Sequence, residues 1–191
     1  MIWVLVAVIV VLLVVVGVLL ARQQQSRKLK QNFGPEYNRV VAKHGDQGSA
    51  ERELAGRRER VEQFKIRPLD PEARARYSDR WGAAQRSFVD EPVAAVGEAH
   101  TLVQQVMHDR GYPVDEGFEQ RAADISVEHP DVVENYRAAN RISIQARKGE
   151  ATTEQLRQSM VHFRALFDDL LAPGDAVDES RRDGPAGAAE S

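Results

Sequence analysis

The chain has 191 residues, no cysteine and a formal net charge of −3. Without cysteine, disulfide frameworks, thiolate zinc sites and cysteine nucleophiles are excluded. The acidic balance, and a basic stretch without aromatic stacking platforms, exclude nucleic acid from the expected partners.

Residues 1–21 carry no charge, no proline and a single glycine, Gly17, and residues 2–20 are apolar throughout, mostly Val, Leu and Ile. At about 1.5 Å rise per residue, such a helix spans roughly the 30 Å hydrocarbon core of a bilayer. A secretory signal peptide needs a basic n-region, a shorter apolar core and a small-residue cleavage site. No Lys or Arg precedes this run, and its exit through Gly17-Val18-Leu19-Leu20-Ala21 is a poor A-x-A match. The expectation is a retained transmembrane anchor over residues 2–21. Arg22, Arg27, Lys28 and Lys30 come directly after it, so the positive-inside bias places Met1 outside and the rest of the chain in the cytoplasm. Trp3 suits the outer interface. Gly17 and Ala21 form one small-xxx-small pair, which composition alone explains.

Residues 22–67 hold 12 basic and 6 acidic side chains, and residues 68–191 hold 14 basic and 23 acidic ones. The first part is therefore a basic juxtamembrane segment. Its cations Arg22 to Lys30 suit an anionic leaflet, and the acidic remainder is repelled by one. Arg52, Arg57, Arg58 and Arg60 alternate with Glu51, Glu53, Glu59 and Glu62 and read as a solvated helix face.

The helix of the anchor runs on towards Phe33-Gly34-Pro35, where Pro35 suits the first turn of a new helix. Tyr37, Val40, Val41 and His44 recur there at helical spacing, and Gly45 supplies a stop. Ser49 is the expected cap of the next helix, whose sparse stripe is Leu54, Val61 and Phe64. Arg67-Pro68 breaks it. Asp70 and Pro71 then start a helix with the stripe Ala73, Tyr77, Trp81, Ala84 and Phe88. Asp90-Glu91-Pro92 opens another, with Val96, Ala99, Leu102, Val103, Val106 and Met107 inward and Gly111 at its end. After the connection Tyr112-Pro113-Val114-Asp115, a shorter helix runs from about Glu116 to Glu128, with Phe118, Ala122, Ile125 and Val127 inward. His129-Pro130 stops it and opens the next, whose inner face is Val132, Val133, Tyr136, Ala139 and Ile142, with Gly149 at its end. Thr152-x-x-Gln155 is a capping box, and Leu156, Met160, Phe163, Leu166, Phe167, Leu170 and Leu171 form the last stripe.

No stretch alternates with period two. The expected fold is all-α: the anchor, the juxtamembrane segment 22–67, an antiparallel helical bundle over 68–172, and a disordered tail over 173–191 that lacks bulky apolar residues. Residues 33–64 are either a helical hairpin packed on the bundle or a stalk beside the membrane. Their thin stripe and dense charge mark them as the part expected to move.

The chemistry-bearing residues are thinly placed. His44, His100, His108, His129 and His162 form no metal pattern, and no Walker A loop, Gly-x-Gly-x-x-Gly turn or Gly-x-Ser-x-Gly elbow occurs. No catalytic, cofactor-binding or metal residue is therefore expected, and no cofactor. Gly97, alone inside a helix, is expected to allow close packing against a neighbour. Two clusters stand out, Arg110-Gly111-Tyr112-Pro113-Val114 and residues 129–137. Arg110, Tyr112, Pro113, Tyr136 and Arg137 could anchor a docking surface. The structural alternative, a helix stop with a loop and a Pro-started helix with an inward Tyr, is preferred for both.

The anchor, Phe33-Gly34-Pro35-Glu36-Tyr37, Arg110-Gly111-Tyr112-Pro113-Val114, Phe118-Glu119-Gln120-Arg121-Ala122-Ala123-Asp124, His129-Pro130 and Tyr136-Arg137-Ala138-Ala139 together resemble a family of single-pass membrane proteins from actinobacteria. The resemblance covers most of residues 1–171. It implies membrane attachment and a bacterial source, and it carries no activity, cofactor or site residue. The functional expectation is a scaffold or interaction module at the inner face of the plasma membrane, with the lipid bilayer and other membrane-associated proteins as partners. The alternatives are an enzyme with an interhelical pocket around His100, His108 or Glu98, and an exported envelope protein. Oligomeric state is not legible.

Overall fold

The computed structural model describes residues 2–173, without the side chains of residues 2, 4–11, 18, 21 and 22. Among the described residues all regular structure is helical: α1 (Ile2–His44), α2 (Gln47–Val61), α3 (Pro71–Ser87), α4 (Pro92–Arg110), α5 (Phe118–Glu128), α6 (Val133–Arg147) and α7 (Thr153–Leu171). Among them no helix is long and apolar enough to cross a membrane. Most side chains on which the anchor expectation rests, that of Arg22, and nearly all of the tail lie outside the described residues.

α1 is two arms joined at Gly34, whose φ of 45° and ψ of −124° are not helical. Pro35 disfavours the α region for the residue before it, and glycine alone takes positive φ at no steric cost, so Gly-Pro turns the chain and starts the second arm. The first arm and α2 run in the same direction. Gln47, at the start of α2, donates to Ser26 Oγ at 3.0 Å, while Asn32 and Phe33 share a cleft with Arg58, Val61 and Glu62 at its end. The second arm therefore returns the chain, and the turn at Gly45 and Asp46 comes back to the level of Ser26. Leu29, Phe33, Tyr37, Val40, Ala50 and Leu54 form a buried cluster there, with Val127 of α5 against it. Residues 33–64 are thus packed on α5.

The cap of α2 is Asp46, not Ser49: the Asp46 carboxylate accepts from the amides of Gly48 at 3.2 Å and Ser49 at 2.7 Å. Gly45, with φ 69°, ends α1 one residue earlier, which leaves the carboxylate at the positive end of the new helix. Asp70 caps α3 as its sequence predicts, accepting from Ala73 N at 2.7 Å, and Thr152 and Gln155 close the capping box of α7.

The main core fills the space between α3, α4, α6 and α7, with α5 across one side. Most residues of the expected stripes point into it; Val127 turns instead to the cluster between α1 and α2, and Ile142 stays at the half-buried edge of α6. Trp81 and Phe167 stack at 4.6 Å between ring centroids, and Phe118 tilts against Tyr136 at 4.8 Å. Trp81, Phe167 and Tyr136 are fully buried, and each such side chain contributes about 1.5–3 kcal/mol relative to exposure. α5 starts at Phe118, two residues later than its periodicity suggests, because the preceding turn is held by Arg121, which donates to the carbonyls of Val114 and Glu116.

Gly97 does not serve close packing. It is exposed, and a Cβ built there meets nothing within 4 Å. Gly97→Ala is therefore expected to stabilise the domain by about 0.5–1 kcal/mol, through the lower helix cost of alanine alone. Thermal unfolding followed by circular dichroism checks this, as a rise of roughly 1–4 °C in the midpoint.

Candidate functional site

Two clusters of buried polar side chains lie between the helices. The first is centred on Glu36, fully buried in the first turn after Pro35. Arg57 of α2 donates to Glu36 Oε1 at 2.7 Å, and Arg137 of α6 donates to Oε2 at 2.7 Å and to Oε1 at 2.9 Å. Arg57 also reaches Ser126 Oγ of α5 at 3.1 Å and pairs with Glu53, and Arg137 donates to Glu134 at 2.7 Å. Burial pushes the Glu36 carboxyl up, but the hydrogen bonds and charges of Arg137 and Arg57 outweigh it and hold the group below the usual range. Both oxygens are occupied by guanidinium groups. The carboxylate is fully buried between these arginines, and the cluster clasps α1, α2, α5 and α6 together.

The second cluster lies where α4, α5 and α7 end. His129 donates from Nδ1 to Asp169 Oδ2 at 2.5 Å, and Arg110 donates to the Leu170 carbonyl at 3.0 Å. Tyr112 donates to Glu128 Oε2 at 2.6 Å, and burial followed by the Glu128 charge pushes its phenol well up. An acid–histidine pair of this kind orients a general base when the far nitrogen meets a nucleophile. Here His129 Nε2 lies 3.5 Å from Arg110 Nη1, a permanently charged donor with no proton to give up. The arrangement pins three helix ends and leaves the base nitrogen against a cation.

Arg110, Tyr112, Tyr136 and Arg137 are all buried, and Pro113 is half-buried. Buried side chains are not available as surface anchors; Tyr136 is inward as the structural alternative has it, but Pro130 lies in a turn and the helix starts only at Val133. Arg57 is a correction of the other kind. Taken from the sequence as part of a solvated face, it lies in the buried stripe of α2 between Leu54 and Val61. Arg60 of the same set donates to the buried Asp124 at 3.0 Å.

The three residues expected for an interhelical pocket are not brought together. Glu98 and His108 are exposed, Glu98 accepting from Arg80 at 3.1 Å and His108 standing 3.1 Å from Asp109. His108 lies on an open cleft of about 830 Å³ with Lys65, Arg67 and Arg76. Among the described residues no group of three or more metal-ligating side chains converges. Of the flanking cations, Arg27, Lys28 and Lys30 are exposed, and Lys30 stands 5.8 Å over the ring of Tyr37.

His100 is half-buried and stacks on Phe163 at 5.4 Å. Burial, with Arg147 and Arg121 nearby, pushes its pKa down from 6.5 to about 4. The unfolded chain thus takes up a proton that the folded one refuses. Stability is complete above pH 6.5 and falls as pH drops towards about 4. His100→Leu is expected to remove this slope, so that by pH 4 the parent has lost on the order of 2–3 kcal/mol more than the variant. Urea unfolding of both at pH 7, 5 and 4 measures it.

Glu36, Glu128 and Asp169 were missed by sequence reasoning. Only the position of Arg57 at helical spacing from Leu54 and Val61 hinted at a buried charge. No family model matches this chain, and no curated protein or solved structure matches it.

Proposed function

We propose that the chain is a single-pass membrane-anchored helical module, its N-terminus outside and its helical domain on the cytoplasmic face, that presents an acidic interaction surface to other membrane-associated proteins. The observation that carries this reading is the apolar stretch of residues 2–20 at the start of α1, of which Trp3, Leu12, Leu13, Val14, Val15, Val16, Leu19 and Leu20 have described side chains standing exposed. Apolar helix surface of that extent needs a cover, and a bilayer supplies it. The cations at 22–30 favour the cytoplasmic side for the helical domain behind them. The resemblance to actinobacterial single-pass proteins agrees with membrane attachment. Interaction is favoured over catalysis because Glu36 and Asp169 in the two buried polar clusters are engaged by arginine and histidine of the same clusters, the Nε of Arg57, Arg110 and Arg137 alone lacking a partner there among the described residues. A contact would then fall on the outer faces of the bundle or on the tail.

A reporter active only in the cytoplasm, fused after Ala172 in a bacterial host, tests the topology. Activity in the membrane fraction supports the reading, and activity only in an exported form of the fusion rejects it. Affinity capture from detergent extract, with and without residues 173–191, tests the tail as a binding segment. Identical partner sets would remove it.

A further inference from the structure

If α1 crosses the bilayer, its geometry sets how far the domain stands from the lipid. The first arm contains no break between the apolar stretch and Gly34. Ser26 lies five residues past Ala21, which is about 7.5 Å of helix. The headgroup layer on each side of the core is itself roughly 5–8 Å thick. Ser26 therefore stands at its outer edge. The hydrogen bond from Gln47 to Ser26 places the 43–47 turn at the same height.

The charges at this end are arranged unequally. Its acids each have partners within the domain, although Asp46 is itself exposed. Asp46 caps α2, Glu51 accepts from Tyr37 at 2.9 Å and from Gln47 at 2.9 Å, and Glu53 is gripped by His44, Lys43 and Arg57. Arg27 and Lys28, by contrast, lie on the side of the helix away from Leu29 and Phe33, are exposed, and have no ion-pair partner among the described residues. Lys30 and Lys43 are also exposed.

We propose that this end of the domain, residues 27–30 together with the 43–47 turn, is a docking surface for anionic phospholipid headgroups, so that the domain rests on the bilayer rather than hanging from it. The proposal builds on the membrane-anchored reading above. Arg27 and Lys28 supply the free charge, and Lys30 adds to it; Lys43 is already paired with Glu53. The returning turn broadens the contact from one helix to the whole hairpin.

The absence of cysteine makes site-specific labelling direct. Ala42→Cys, beside the turn, and Gln63→Cys, beyond the far end of α2, are each labelled with a bimane fluorophore in the full chain. The labelled chains are reconstituted into phosphatidylcholine vesicles containing a headgroup-nitroxide lipid, with and without phosphatidylglycerol. The label at 42 is expected to be quenched severalfold more than the label at 63, and phosphatidylglycerol is expected to increase the quenching at 42. Arg27→Gln with Lys28→Gln is expected to remove roughly two thirds of that increase, since it removes two of the three cations there without an ion-pair partner among the described residues. Equal quenching at 42 and 63 in chains that float with the vesicles overturns the docking surface and leaves the anchor standing. Quenching at 42 that ignores phosphatidylglycerol overturns headgroup charge as its basis. A chain that does not float with vesicles overturns the membrane reading and this proposal with it.

Discussion

Glu36→Ala is expected to cost about 3–5 kcal/mol of folding stability, the largest effect of any single substitution of a charged residue in this chain. The carboxylate is fully buried and accepts from two arginines, themselves nearly buried, that reach it from α2 and α6. Its removal leaves Arg57 and Arg137 with only Glu53 and Glu134, at the periphery, to offset their charge. Replacing the whole group, Glu36→Leu with Arg57→Met and Arg137→Met, is expected to cost far less, since no ion is then stranded. Urea unfolding of the three proteins decides it, and a loss below about 1 kcal/mol for Glu36→Ala would mean that the clasp is incidental. Acid works in the same direction. The folded carboxyl is depressed, so its contribution is complete above the ordinary carboxyl value of 4.5 and is lost as pH falls through the folded one.

Gly111→Ala is the second large effect, about 2–4 kcal/mol. The residue ends α4 with φ 99°, and an added Cβ would stand 2.6 Å from the Lys65 carbonyl oxygen. Backbone on backbone leaves no flexible side chain to give way. The segment it would displace is tied down two residues on, where Arg67 N donates to the Arg110 carbonyl at 2.9 Å. Gly45→Ala separates the two causes. Gly45 also has positive φ, at 69°, but nothing lies within 4 Å of its Cβ position. It is expected to lose only about 1 kcal/mol, the conformational cost alone. Equal losses at the two positions, read from thermal midpoints, would remove the steric argument.

The parts of this fold that sequence makes legible are the ones written locally. Tyr77, Trp81 and Ala84, or Phe163, Leu166, Phe167 and Leu170, declare a buried face by spacing alone. Asp70-Pro71 and Thr152-x-x-Gln155 declare their caps within four residues. The polar clusters are not local. Glu36 and Arg137 are 101 positions apart and Arg57 and Ser126 are 69 apart, so no window of sequence contains both partners. A charged residue on a helix also reads as solvent-facing by default, which hid Arg57 inside its own stripe. Tyr112 and Arg110 were conspicuous for the opposite reason. Their density offers an exposed anchor as the lesser of two readings; in the fold Tyr112 donates to Glu128 and Arg110 closes the end of α7. Ser49 lost its capping role to Asp46 because the choice depends on where Gly45 stops the previous helix.

The packing of the first arm decides where this polypeptide tolerates being cut. Leu29 and Phe33 are buried under Ala50 and Leu54, and Glu36 neutralises guanidinium groups belonging to α2 and α6. A fragment beginning at residue 68, where the charge balance changes, strips α5 of its cover and strands Arg137. A water-soluble version suited to crystallisation must instead start upstream of Ser26, at the edge of the apolar stretch, and carry the hairpin with it.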